Sequence, residues 1–324
     1  MKKDDPHSGG AGPRPVGELL PTALKSSRLP TRRRGLEDPF LVDANTEGSI
    51  LYQHSVLCQT SLPYRDPGED VRVWKRTNGI VSLLVSAGQA FHPDTRDFVD
   101  VGLPYGAKPR LVLYHLNAEA LLTQSPVIEL EDSLTAFVKR TLGLDAHGRN
   151  IRTVKNQLSR LAASDFRIGA VTREGRAVTL KGSVIEGFEL WTARDPRQRM
   201  LWPSTVQFSQ RYFESLMRHA VPLKEIAVAR LSHSAMALDI YTWLAQRLHR
   251  VEKGRGVLIS WAALHEQFGH GYERQRDFRR VYRHTLKAVH ENYPEAKFDV
   301  AEEGMTLWHS RPPVPPRSQL VGQS

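Results

Sequence analysis

Two stretches of this sequence repeat one order of predicted elements: a short helix, a longer helix and a ribbon of two β-strands. In the first stretch, Asp132 or Ser133 can cap a helix that Gly143 ends. A longer helix is predicted over residues 149–163, with strands over 166–172 and 177–192 after it. Apolar residues recur at helical spacing in both helices, namely Leu134, Phe137, Val138 and Leu142, then Ile151, Val154, Leu158 and Leu161. Each helix therefore has one side suited to a core.

The second stretch follows the same order nearer the end of the chain. Ser234 and Ser260 can each cap a helix, and Gly269 can end the second of them. The predicted elements are helices over residues 234–250, 261–268 and 273–293 and strands over 297–300 and 305–309. The order of helix, helix and β-ribbon therefore occurs twice in the chain. This repetition predicts an α+β fold with two tandem winged-helix domains.

In both longer helices the side opposite the apolar stripe is basic. In the helix over 273–293, Phe278, Val281, Tyr282 and Val289 face one way and a run of arginines faces the other. A helix of this kind fits the major groove of B-DNA, where Arg can pair with guanine and Asn with adenine. The predicted DNA-binding residues are Arg149, Arg152, Lys155, Asn156, Ser159, Arg160, Arg173, Arg176, Arg274, Arg276, Arg279, Arg280, Arg283 and Lys287.

The charge balance agrees with a polyanionic partner. The chain has 45 Lys and Arg against 35 Asp and Glu, a net charge of +10. Residues 1–50 hold eight basic and seven acidic side chains, so the excess belongs mainly to the rest of the chain. A basic surface on the folded part is therefore expected, with double-stranded DNA as the leading partner.

Composition also predicts the domain limits. Residues 1–49, rich in Pro and Gly, are expected to form a flexible arm, and residues 311–324 a proline-rich tail outside the fold. The two domains are predicted over 50–195 and 196–310, and residues 50–60 are expected to form a buried strand. No run is apolar and long enough for a membrane span, and the single cysteine, Cys58, cannot form an internal disulfide. A cytoplasmic protein is expected.

No catalytic, metal or cofactor site is predicted. The sequence has no phosphate-binding loop of the NTPase kind and no His-x-His pair for a strand-nicking site. His265-Glu266 and His270 resemble a zinc-protease motif, but the second histidine is one residue too far along the helix. The expectation is a protein that is not an enzyme.

Several segments resemble the plasmid-encoded RepA replication initiator family. They are Gln59-Thr-Ser-Leu-Pro-Tyr-Arg-Asp-Pro-Gly68, Trp74-Lys-Arg-Thr-Asn-Gly79, Val101-Gly-Leu-Pro-Tyr-Gly-Ala-Lys-Pro-Arg110, Glu129-Leu-Glu-Asp-Ser-Leu-Thr-Ala-Phe137 and the helix around Gln157 and Leu161. The resemblance implies a bacterial protein that recognises repeated sites (iterons) at a plasmid origin, recruits the host initiator and helicase, and controls copy number. It also implies autoregulation, with a homodimer as the repressing form. Two alternatives stay open at this point: a winged-helix transcriptional repressor without origin activity, and a protein-interaction module.

Overall fold

The computed structural model describes residues 49–92, 96–171, 177–187 and 205–315. The predicted N-terminal arm, the turn between the first ribbon strands and the predicted domain boundary at 195/196 lie outside these residues, apart from Ser49. Helices and strands both contribute heavily, so the expectation of a mixed α and β fold is confirmed.

The elements of the first half run from residue 50 to residue 187. Its helices are α1 Ser55–Gln59, α2 Ala107–Thr123, α3 Leu134–Ala136, which continues as a π-helix over Phe137–Thr141, and α4 Gly148–Ala163. Its strands are β1 Ile50–His54, β2 Val73–Asn78, β3 Val81–Ser86, β4 Gln89–His92, β5 Asp97–Asp100, β6 Val127–Glu129, β7 Asp165–Val171, β8 Ala177–Ser183 and β9 Ile185–Gly187.

The second half begins at residue 205. Its helices are α5 Gln210–His219, α6 Glu225–Leu231, α7 Ala235–Arg247, with a 3₁₀ turn over Leu248–Arg250, α8 Trp261–Phe268 and α9 Gln275–Asn292. Its strands are β10 Thr205–Phe208, β11 Ala220–Lys224, β12 Val257–Ser260, β13 Phe298–Val300 and β14 Gly304–Leu307. No helix in the described part of the chain combines the length and the apolar character needed to cross a membrane.

Local side-chain chemistry sets the helix ends much as predicted. The hydroxyls of Ser133, Ser234 and Ser260 each accept a hydrogen bond from the backbone N–H three residues later, which satisfies a donor that the helix itself leaves unpaired. Gly143 adopts a positive φ of 61° after the helix predicted to end there, a conformation that Gly reaches without steric cost. The last helix begins at Gln275, two residues later than expected.

The prediction of one strand over residues 50–60 is wrong in its second half. The strand ends at His54, whose imidazole accepts a hydrogen bond from the Val56 N–H at 3.2 Å and so starts α1. Leu57 and Cys58 of that helix are buried. A short apolar run satisfies either a buried strand or a buried helix, so its periodicity could not separate the two.

The sheets extend the predicted ribbons. In the first half β7 pairs with β8 as expected, but β7 also pairs with β3, which gives a four-stranded antiparallel sheet in the order β2-β3-β7-β8. The strand predicted over 177–192 is interrupted at Val184, and β9 turns away to pair with β10, which also pairs with β6. In the second half β14 lies between β12 and β13. β1 pairs with β11, so the two halves share a ladder.

A buried ion pair joins the halves inside the core. Arg110 of α2 donates to both carboxylate oxygens of Asp239 on α7, with N–O distances of 2.6 and 2.7 Å. The three remaining guanidinium hydrogens go to the carbonyl oxygens of Gly106, Leu62 and Pro63, at 2.6, 2.8 and 3.5 Å. Both side chains are almost fully buried. The pair is therefore satisfied on all sides, which is the condition for burying two charges.

The expectation that residues 311–324 lie outside the fold is wrong for the part that the structure describes. Pro313 and Val314 are buried, and the Tyr293 hydroxyl donates to the Arg311 carbonyl oxygen at 2.6 Å. Val314, between the prolines, adds an apolar side chain to the core, which composition alone does not reveal. Residues 316–324 lie outside the described residues.

Buried His54 predicts a loss of stability in mild acid. Burial, with a smaller contribution from nearby His219, lowers the pKa of His54 from 6.5 to about 4. The unfolded chain therefore binds a proton below pH 6.5 that the folded chain excludes until about pH 4. As the pH falls from 6.5 to about 4, this histidine should lower the free energy of unfolding by about 3 kcal/mol. Above pH 6.5 it should have no effect on that free energy.

The measurement is urea unfolding at several pH values between 4 and 7.5, compared with His54→Asn. Asparagine keeps a side-chain oxygen that can accept from the Val56 N–H but cannot titrate. We expect the variant to show a shallower fall in unfolding free energy over this range. Parallel pH profiles would contradict the assignment.

Candidate nucleic-acid interface

Helix α9 separates an apolar and a basic side as the sequence predicts. Phe278, Tyr282 and Val289 are buried. The opposite side carries a line of exposed cations at three- and four-residue spacing, Arg276, Arg280, Arg283 and Lys287, here named the basic stripe. Arg274 is exposed immediately before the helix. The basic stripe extends about 16 Å along the helix at 1.5 Å per residue, a length that suits the major groove of DNA.

The basic stripe works against the stability of its own helix. The helix carries five Lys and Arg and only two acidic residues, Asp277 and Glu291. Like charges three or four residues apart on a helix cost about 0.2–0.5 kcal/mol a pair. Among the described residues, Arg276 and Arg280 have no hydrogen bond, ion pair or ring contact that would compensate. Charge of this kind is suited to an anionic partner.

Two arginines of α9 lie over the ring of Trp261, the first residue of α8. The guanidinium carbons of Arg279 and Arg283 are each 5.2 Å from the ring centroid, within the range of a cation–π interaction. Arg279 also donates to the side chain of Gln275 at 3.1 Å, whereas its buried Nε has no acceptor. The ring therefore restrains two arginine side chains of α9 that would otherwise sample many rotamers.

The turn between β13 and β14 approaches the same arginines. The Trp261 indole N–H donates to the Ala301 carbonyl oxygen at 3.0 Å, and the Arg283 guanidinium lies 3.9 Å from the carboxylate of Glu302. Both charged groups of that ion pair are largely exposed, so it contributes little to stability. A Cβ on Gly304 would overlap the Ile259 carbonyl oxygen, so the turn needs glycine there to approach β12.

Helix α4 carries a smaller basic side. Val154, Leu158 and Leu161 face the core, while Arg149 and Arg152 are exposed. The helix has four basic residues and no acidic one. The His147 imidazole accepts a hydrogen bond from the Asn150 N–H, which caps the helix.

Other predicted α4 residues make contacts within the protein. Arg160 donates to the Leu103 carbonyl oxygen at 3.1 Å, lies over the Tyr105 ring and keeps only 12% of its side chain exposed. The Ser159 hydroxyl donates to the Lys155 carbonyl oxygen at 3.0 Å, and Lys155 is half-buried. Asn156 is exposed, and its side-chain oxygen accepts from the amide of the buried Gln157.

Arg173 and Arg176, predicted in the first ribbon turn, lie outside the described residues. Sequence reasoning identified the arginines of α9 but not the ring beneath two of them. Trp261 follows directly on the predicted cap Ser260 and so begins the helix before α9. An aromatic residue at that position was the only sequence signal for a ring near the α9 arginines. Its position against α9 depends on the packing of α8 on α9.

The described residues contain no group of three or more His, Cys, Asp or Glu side chains that could hold a metal ion. The histidines of the zinc-protease-like motif have other partners. His265 lies 2.9 Å from the Tyr272 carbonyl oxygen, and the His270 ring packs edge-on against Trp74 with centroids 4.3 Å apart.

The structure defines a protein of mixed α and β elements with two basic helices, each followed by an antiparallel ribbon. Residues 103–263 match the model of the plasmid-encoded RepA protein family, which confirms the expected resemblance over this segment. The segment includes α4 and ends before α9 begins.

The search of curated proteins finds no match. Among solved structures, two crystal structures of domains 2 and 3 of RctB are similar to this chain at 11% identity and a TM-score of 0.44. They cover 71% and 75% of this chain, and 82% and 83% of their own chains are covered.

Proposed function

We propose that the protein is a plasmid replication initiator that binds duplex DNA sequence-specifically through two winged-helix units. The basic stripe of α9 is the observation that carries this proposal, because it presents four exposed cations on a helix whose other side is anchored in the core. The family match supports a role in plasmid replication initiation.

The order of elements supports two winged-helix units. The first runs α2, β6, α3, α4, β7, β8 and the second α7, β12, α8, α9, β13, β14, so helix, strand, two helices and two strands occur twice. In this interpretation α4 and α9 are the recognition helices and the β7–β8 and β13–β14 turns are the wings. Two such units on one chain can occupy successive major grooves, about 34 Å apart.

The internal contacts refine the set of DNA-binding residues. We assign the basic stripe, Arg274 and Arg279 of the second unit and Arg149, Arg152 and Asn156 of the first to DNA. Arg160 is reassigned to holding α4 in place, because it donates to the Leu103 carbonyl oxygen, and Ser159 is removed from the set because its hydroxyl bonds within α4. Arg173 and Arg176 remain candidates for phosphate contacts.

The proposal includes a mode of action. The protein would act in the bacterial cytoplasm on repeated origin sites, recruit the host initiator and helicase, control copy number, and repress its own promoter as a homodimer. It would do so with no catalytic chemistry and no cofactor. Incubation with supercoiled origin DNA and Mg²⁺ tests the non-enzymatic part, since nicked product would contradict it.

Competition binding tests the function directly. The purified chain is titrated with duplex from the origin region of the replicon that encodes it and with random duplex, at two salt concentrations. A preference of about a thousandfold or more for a repeated site of roughly 20 base pairs supports the initiator. Weak, sequence-blind binding that is lost with salt would favour the protein-interaction module instead. A specific binder whose sites do not support plasmid replication would be the transcriptional repressor.

Arg279→Ala and Arg283→Ala should each weaken binding to the specific site by about 1–3 kcal/mol and relax the preference for guanine at one position. Lys287→Ala should weaken binding to all sequences alike, because a phosphate contact carries no sequence information. Titrations on the origin site and on single-base variants measure both effects. Equal losses on specific and random DNA from the two arginine variants would contradict base reading by α9.

A further inference from the structure

We propose that Trp261 is the positioning residue for sequence reading, holding the Arg279 and Arg283 guanidinium groups in the geometry that contacts base edges. This inference rests on the proposed function and goes beyond it, because Trp261 itself is only 1% exposed and cannot touch DNA extensively. It acts through the two arginines over its ring.

The ring is fixed more firmly than a tryptophan in a mobile turn would be. Phe278 and Tyr282 of α9 pack edge-on against it, with centroids 6.4 and 5.9 Å away. Its indole N–H is bound by the Ala301 carbonyl oxygen, and its backbone N–H by the Glu303 carbonyl oxygen at 3.2 Å. The same side chain thus contacts the recognition helix and the wing turn. Movement of the recognition helix or of the wing turn should therefore shift both arginines.

The arginines of α9 fall into two groups by their surroundings. Arg276 and Arg280 have no partner among the described residues, so their guanidinium groups can follow a phosphate wherever it lies. Arg279 and Arg283 are restrained by the ring, and Arg283 keeps 46% of its side chain exposed. A bidentate contact to guanine requires a planar guanidinium at a defined angle. The restrained pair is therefore suited to reading bases and the unrestrained pair to binding phosphates.

The restraint has a thermodynamic consequence. A side chain that is already ordered loses less conformational entropy when it binds, so it favours a site with matching geometry over one without. Arg160 of α4 shows the contrasting case. It also lies over a ring, that of Tyr105, but with 12% of its side chain exposed it is held inward. Among the described residues, only the α9 arginines combine a ring platform with an exposed recognition helix.

The ordinary role of a buried tryptophan is to fill the core, so the test must separate positioning from packing. Trp261→Leu retains apolar volume but removes the ring, and Trp261→Phe retains a ring but removes the indole N–H. Circular dichroism and thermal unfolding establish that each variant is folded. Affinities are then measured for the origin site, for that site with single guanines replaced, and for random duplex.

We expect Trp261→Leu to lower the ratio of specific to random affinity by about tenfold, with the salt dependence unchanged. Trp261→Phe should retain most of the ratio. Arg279→Lys and Arg283→Lys provide a second measurement should Trp261→Leu fail to fold. Lysine keeps the charge but presents no planar fork, so each should lower the ratio while leaving the salt dependence as it is.

A folded Trp261→Leu protein with an unchanged ratio would overturn the proposal, as would lysine variants that discriminate as well as the parent. Loss of the ratio in Trp261→Phe equal to that in Trp261→Leu would also overturn it, because the indole N–H and not the platform would then be responsible. If the parent protein itself shows no sequence preference, the proposed function fails first.

Discussion

Asp239→Ala is expected to lower the free energy of unfolding by about 3–5 kcal/mol, a large part of the stability of a protein of this size. The substitution leaves Arg110 charged, buried at 2% exposure and without its bidentate partner. The carbonyl oxygens of Gly106 and Leu62 can still accept hydrogen bonds, but they do not neutralise the charge. Urea unfolding followed by circular dichroism measures the loss.

A double variant supplies the matched control. Arg110→Met with Asp239→Leu replaces both charges by apolar side chains of comparable volume, and such replacements are often neutral or stabilising. We expect the double variant to be much closer in stability to the parent than Asp239→Ala. If Asp239→Ala were as stable as the parent, water would have to reach Arg110, which contradicts its burial. A double variant as unstable as the single one would assign the loss to packing.

Removal of the three basic-stripe cations other than Arg283 should have the largest effect on DNA binding. Arg276→Ala, Arg280→Ala and Lys287→Ala combined should reduce affinity about a hundredfold or more at 0.1 M salt, for origin and random duplex alike. Each phosphate neutralised contributes about 0.9 to the slope of log affinity against log salt, so the slope should decrease by about 2–3. Titration at four or more salt concentrations gives both quantities.

The control is a triple variant with the same change in net charge at residues outside α9. Arg247, Lys253 and Arg255 are exposed and lie before β12, and their replacement by Ala should leave the salt dependence nearly unchanged. The basic-stripe variant should be no less stable than the parent, because it relieves like-charge repulsion along α9. Equal losses of affinity in the two triple variants would indicate that net charge, and not the recognition helix, attracts DNA.

Local interactions explain which structural predictions succeeded. Serine caps at Ser133, Ser234 and Ser260 and the stop at Gly143 act within four residues, so the sequence near each position is sufficient to set it. Helical periodicity likewise identified the buried side of α9, since 3.6 residues per turn places Phe278 and Tyr282 on one side whatever the partner. The failure at residues 55–59 has the converse reason, because five apolar-rich residues show no decisive period.

The predicted DNA-binding residues also divide into those that local spacing placed correctly and those that it did not. The sequence correctly placed Arg276, Arg280 and Lys287 on an exposed side, because exposure follows from opposition to the apolar stripe. It could not show that Arg160, equally basic and equally spaced, bonds to Leu103 from a distant segment. The spacing of charges along a helix carries no information about what packs beside it.

The sequence by itself determined the helices capped at Ser133, Ser234 and Ser260, the basic character of α4 and α9, and the repeated order of elements. The tertiary structure alone decided that Arg110 meets Asp239, that β3 joins the first ribbon and that Trp261 lies beneath two arginines. Each of these depends on contacts between residues far apart in the chain or on the angle at which two helices pack. Periodicity and capping act over a few residues, whereas such contacts are fixed only when the whole core closes.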